Sequence, residues 1–159
     1  MSKIKTYKGM LPIGEQEKIP LSTNDGLQGY RISKFQVMPS AYDVNVKLVG
    51  KIFLKDQTGN ITATINFNDT NILAAAYYED TSGSSGSGNP NTIVFDKETF
   101  NQDIFVYIAD AGGGTSPANF YIELEQFNLD INTSTYHTLK NIRSLTDPGF
   151  TILWVNNIT

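Results

Sequence analysis

Apolar and polar side chains alternate along residues 118–131, ANFYIELEQFNLDI. Phe120, Ile122 and Leu124 are interleaved with Tyr121, Glu123 and Glu125. A period of two marks a strand with one buried and one solvated face. The phase then slips, because Phe127, Leu129 and Ile131 stand at odd positions. A one-residue slip turns every later side chain to the wrong face, so a bulge near Glu125–Gln126 is expected. Residues 103–109, DIFVYIA, predict a second strand, joined to the first through AGGGTSP at 111–117. The two are read as a hairpin at the centre of a β-sandwich.

The same pattern recurs along the chain. Residues 1–20 read as an extended arm, with Pro12 and Pro20 forbidding a continuous helix and Met10, Leu11 and Ile13 forming a small apolar cluster. Residues 19–23 suggest a short edge strand begun by Pro20, and Asn24–Asp25–Gly26 a turn. Residues 29–38 (GYRISKFQVM) predict a strand whose phase changes between Ile32 and Phe35, which a bulge near Ser33–Lys34 would absorb. Residues 43–55 predict a long strand. Val44, Val46, Leu48, Ile52 and Leu54 share one face with Gly50, where a side chain would crowd, while Val49 and Phe53 imply cover on the other face.

A turn at Asp56–Gly59 leads to an expected partner strand at 60–68, with Ile61, Ala63, Ile65 and Phe67 inward. Residues 72–79 mix three alanines with two tyrosines and are read as a strand, because they lie within a run of hairpins. Residues 81–91, TSGSSGSGNPN, form a low-complexity loop, and 92–95 a short strand. Residues 132–145 suit either a short helix, capped by Asn132 or Ser134 and stopped by Pro148–Gly149, or a strand. A last strand is expected at 150–155, FTILWV. The fold class is therefore all-β: an antiparallel, jelly-roll-like sandwich over 21–159 preceded by an extended arm over 1–20.

Composition narrows the chemistry. The chain has 159 residues, enough for one domain with a sizeable core. Its net charge of −4 argues against a nucleic-acid binder. With no cysteine, disulfides, thiolate metal sites and thiol catalysis are excluded. Lys3, Lys5 and Lys8 interrupt the start of the chain, so neither a secretory leader nor a membrane span is expected. Four Asn-x-Ser/Thr patterns, beginning at Asn60, Asn68, Asn132 and Asn157, are read as chance in an Asn- and Thr-rich chain.

Glu123 and Glu125 share a strand face about 7 Å apart, a spacing used in glycoside hydrolysis. That chemistry needs an enclosed acid, and these two alternate with apolar residues on the expected wet face. His137 is the only histidine, and no nucleophile elbow accompanies it. Gly112–Gly113–Gly114 follows a strand but lacks the lysine and helix of a phosphate loop. Asp56, Asp69 and Asp80 do not follow the calcium-loop pattern. No catalytic, cofactor or metal residue is assigned. A core role is the first expectation for several of the tyrosines, while Tyr7, Tyr42, Tyr77 and Tyr78 could build an interface or equally stack on sugars.

Six segments carry a resemblance: KTYKGMLPIG (5–14), GYRISKFQVM (29–38), KDQTGNITA (55–63), TFNQDIFVYI (99–108), YIELEQ (121–126) and TLKNIRS (138–144). Together they resemble small virion structural proteins of marine tailed bacteriophages. The resemblance implies a non-enzymatic β-sandwich located in the virion, and in the host cytoplasm during assembly. It implies partners among the major capsid protein or other virion proteins, in a homo-oligomer, without nucleic acid or membrane. Within that reading a capsid decoration, cement or minor capsid protein comes first, and Tyr7, Met10, Leu11 and Ile13 of the arm are the expected partner contacts. A tail- or fibre-associated sandwich, able to bind carbohydrate, is the alternative. A glycan-active enzyme using Glu123 and Glu125 is third.

Overall fold

The computed structural model describes residues 2–41, 45–58, 61–80, 91–95 and 97–143. Within them lie eight strands: β1 (Lys3–Leu11), β2 (Gln16–Ile19), β3 (Gln28–Pro39), β4 (Val46–Phe53), β5 (Ile72–Asp80), β6 (Asn91–Val94), β7 (Ile104–Asp110) and β8 (Ala118–Asn128). One helix, α1 (Ile131–Arg143), follows. The strands form two antiparallel sheets, β1-β8-β3 and β2-β7-β4-β5-β6. Their inner faces share one core, in which Phe35, Ile52, Ile104, Val106, Ile108, Ile122 and Leu124 are fully buried. This is the expected all-β sandwich.

The strands expected at the centre do not form a hairpin. β7 and β8 lie inside different sheets, each with a neighbour on both sides, and residues 111–117 cross between the sheets. Asp110 sets that crossing: its carboxylate accepts the Lys47 and Gly112 backbone N–H groups at 3.1 and 2.8 Å. Gly113 takes the left-handed conformation that the turn requires (φ 83°).

The first twenty residues are not one extended arm: Lys3–Leu11 and Gln16–Ile19 are strands separated by a turn at Ile13–Gly14, and they are built into both sheets. β1 pairs along its whole length with β8, and β2 pairs with β7. The strand expected at 19–23 lies earlier, at Gln16–Ile19, with Pro20 just beyond its end. Asp103 then latches the chain, accepting the N–H groups of Leu21 and Ser22 at 2.8 Å each and the Ser22 hydroxyl at 2.9 Å.

Of the two expected bulges, the one in β3 is present. The register with β8 shifts between Ile32 and Lys34, so Ser33 and Lys34 are both exposed while Ile32 and Phe35 are both buried. The one at Glu125–Gln126 is absent; pairing runs unbroken to Asn128. The phase change there has another cause: the strand ends, and Ile131 begins a helix. The second irregularity falls opposite Ile52 and Phe53, where Leu73 and Ala74 both reach the shared core and Ile72 packs outside it.

Residues 61–68 form no strand, contrary to the periodicity of Ile61 to Phe67. Both edges of β4 are taken, by β5 and β7. The segment lies over the outer face of the five-stranded sheet. There Ile61 and Ala63 pack on Phe53, Ile72, Tyr107 and Ala109. The Tyr107 hydroxyl donates to the Ile61 carbonyl at 2.7 Å. β4 is thus covered on both faces, as expected, and Gly50 is the residue that lets β3 approach. A Cβ there would fall 2.6 Å from Val37 Cγ1 and 2.9 Å from Phe35 Cζ.

Of the segment expected as helix or strand, the described part is helix, Ile131–Arg143. Its N-cap is Asp130, neither Asn132 nor Ser134: the Asp130 carboxylate accepts the Thr133 N–H at 2.7 Å. That bond holds the Asp130 carboxyl below its usual range. Buried Ser134 instead ties the helix down, donating to the Gly26 carbonyl at 2.7 Å beside the buried Asn101 amide. The expected features at Val44, 81–90, Pro148–Gly149 and 150–155 lie outside the described residues.

Candidate interaction surface

β1 is an edge strand. Among the described residues it pairs only with β8, leaving nine residues, roughly 30 Å, with free backbone groups on the other side. Lys5, Tyr7, Gly9 and Leu11 stand opposite inward residues of β8, and Ile4, Thr6, Lys8 and Met10 lie on the outer face. Gly9 accommodates the Phe120 ring, which would lie 3.1 Å from a Cβ at that position. Of the four expected contact residues, Leu11 is 3% exposed and belongs to the core. Tyr7 and Ile13 are half-buried against it. Met10, at 59%, is the one left open.

The outer face of the three-stranded sheet continues from Met10 through Asn119 to exposed Met38 on β3. Further along, side chains satisfy one another. Arg31 donates to Glu125 from Nε and a terminal nitrogen at 2.7 and 2.6 Å. The Tyr121 hydroxyl donates to Glu123 at 2.8 Å. Lys34 lies 5.9 Å from the Tyr121 ring centroid. The Arg31 bond holds Glu125 below the usual carboxylate range. The two glutamates therefore share a strand face as expected, but each is tied to a neighbour on a solvated surface. Neither sits in an enclosed cleft.

The remaining candidates are scattered. His137 meets the Thr99 hydroxyl at 2.9 Å and the edge of Tyr136. Asp56 accepts from Gln16 at 2.6 Å, and Asp69 from the Asn71 N–H at 2.9 Å. Among the described residues no group of three or more His, Asp or Glu is placed to hold a metal ion. Tyr42 lies outside the described residues. Tyr77 and Tyr78 line a cavity of about 250 Å³ with Phe120 and Tyr121, where β3, β5 and β8 meet. The Tyr77 hydroxyl donates to Glu79 at 3.0 Å, which together with burial pushes its ionisation upward and fixes the ring.

Sequence reasoning missed Lys51 and Lys55, both buried. The available signal was position: Lys51 falls on the β4 face already read as covered from Val49 and Phe53. No known protein family matches this chain, and no curated protein matches it.

Proposed function

We propose that this chain is a non-enzymatic virion structural protein that decorates or cements a phage head shell. The observation that carries the reading is the free edge of β1. Edge strands are usually blunted, and this one carries three lysines and no carboxylate over residues 1–14 of a chain with net charge −4. A cationic edge strand, with no neighbour on its outer side among the described residues, beside the exposed Met10–Met38 row suits an acidic partner surface or an added partner strand. Many copies of such a modest interface bind an assembled shell by avidity.

Deleting residues 1–18 would remove β1 and most of β2 and open the core, so the test uses surface changes. Lys8→Glu with Met10→Asp leaves the inward residues untouched. The wild-type protein is expected to co-sediment with assembled heads and the double variant to remain in the supernatant with an unchanged Tm. Equal co-sedimentation of both proteins would remove β1 as the docking edge.

The cavity around Tyr77, Tyr78 and Tyr121 favours a second reading, a tail- or fibre-associated sandwich that stacks sugars on aromatic faces. Glycan binding abolished by Tyr121→Ala would support it.

A further inference from the structure

The least expected groups in the molecule are two buried lysines. Lys51 points from β4 into the outer face of the five-stranded sheet and is 4% exposed. Its Nζ donates to the Thr64 carbonyl at 2.6 Å and lies 5.7 and 5.9 Å from the centroids of the Phe53 and Tyr107 rings. Lys55, just beyond β4, is 7% exposed, and its Nζ has no hydrogen-bond partner among the described residues. Burying a charged amine without a partner is unfavourable, because the lost hydration is not replaced. Burial pushes both amines below their ordinary range, and Asp69 opposes the shift in each. One carboxylate is thus shared between two cations, and it already accepts the Asn71 N–H.

Lys51 and Asp69 line a cavity of about 280 Å³ beneath residues 61–69. Thr62, Thr64 and Asn66 give it a polar side, and Phe53 and Ile72 an apolar one. Gln57, also in its wall, donates to the Lys55 backbone carbonyl at 3.1 Å, and the Lys55 amine, outside the lining, is coupled to the cavity through the charge of Asp69. The set is one negative charge short, and it has hydroxyl and amide groups in place to orient an oxygen ligand.

We propose that this cavity binds one small oxyanion, a phosphate or a carboxylate, with Lys51 supplying the cationic contact and Lys55, outside the lining, adding to the positive field. The bound anion would tie β4 to the covering segment and offset the burial of both amines. The site is separate from the β1 edge and does not depend on the shell-binding reading.

The test is thermal unfolding of the full chain in inorganic phosphate and, in a second arm, in malonate, with sodium chloride holding ionic strength constant. One of the two is expected to raise Tm by about 8 °C at roughly 100 times its Kd. The effective arm identifies the ligand class. Lys51→Met and Lys55→Met are each expected to be at least as stable as the wild type without anion, since an apolar replacement relieves a buried charge. Each is expected to lose the anion-dependent rise. Neither anion raising Tm above the chloride control would overturn the proposal, and so would a rise that persists in both variants. Should a variant not fold, amide chemical shifts in the wild-type protein decide. Changes confined to β4 and residues 55–72 support the site, and their absence rejects it.

Discussion

The three-stranded and five-stranded sheets share one interior and part company on their outer faces. β8 alternates cleanly, with Phe120, Ile122 and Leu124 buried and Tyr121, Glu123 and Glu125 half-exposed. β4 is buried at every position but Lys47. Residues 61–69 make the difference, because they lie over β4 and β7 while nothing among the described residues lies over β8. The same residue type then meets opposite fates. Lys8 and Lys34 stand in solvent on the bare sheet, whereas Lys51 at an equivalent outward position is sealed under the cover. Outward on a strand is not the same as wet; what lies above the sheet decides.

The largest expected effect probes what the sheets share. Phe35 is fully buried between them. Phe35→Ala should cost about 4 kcal/mol in a urea melt, with both sheets lost in one transition. Phe53→Ala, in the outer cluster, should cost about 3 kcal/mol. Its hydrogen-exchange increase should be concentrated in residues 61–72. A loss spread evenly over both sheets would mean that the cover is not a separate unit.

Gly50→Ala should cost about 2 kcal/mol, because the added methyl meets Val37 and Phe35 where β3 and β4 are pressed together. A neutral result would show that the sheets can part slightly without loss.

Asp103 sharpens the comparison through pH. Burial alone would raise its carboxyl, but the bonds from Ser22 and Leu21 and the nearby charge of Lys18 outweigh it and hold it low. A group held low in the fold contributes stability above its unfolded value, about pH 4, and loses it as pH falls through the folded value. Urea midpoints of the wild type should therefore drop below about pH 4, and Asp103→Asn should flatten that part of the profile. The smallest effect belongs to the bare sheet. Arg31→Ala breaks an exposed ion pair and should leave Tm within measurement error.

Much of this was legible in the residues. The doubled polar pair Ser33–Lys34 between Ile32 and Phe35 announced a bulge, and Gly50 in a run of Val, Leu and Ile announced a close approach. The errors have physical causes. Residues 61–67 repeat with strand period because they pack on a sheet face, but no strand edge remained to hydrogen-bond them. Phe127 to Ile131 looked like a phase slip because a strand end and a helix start share one apolar run, with Asp130 as the cap between them. The crossover at 111–117 has the length of a hairpin loop; its course depends on which sheet each strand joins, and that is set by partners far away in sequence. The anion cavity was hidden because a lysine between apolar residues reads as solvated unless the cover above it is known.

The proposed role makes the chain a repeated component of a shell. Mass spectrometry of purified particles with copy counting tests it directly. On the order of hundreds of copies per particle are expected, as avidity through a modest interface requires. A dozen or fewer copies would move the chain to a tail or vertex, and its absence from the particles would contradict the account.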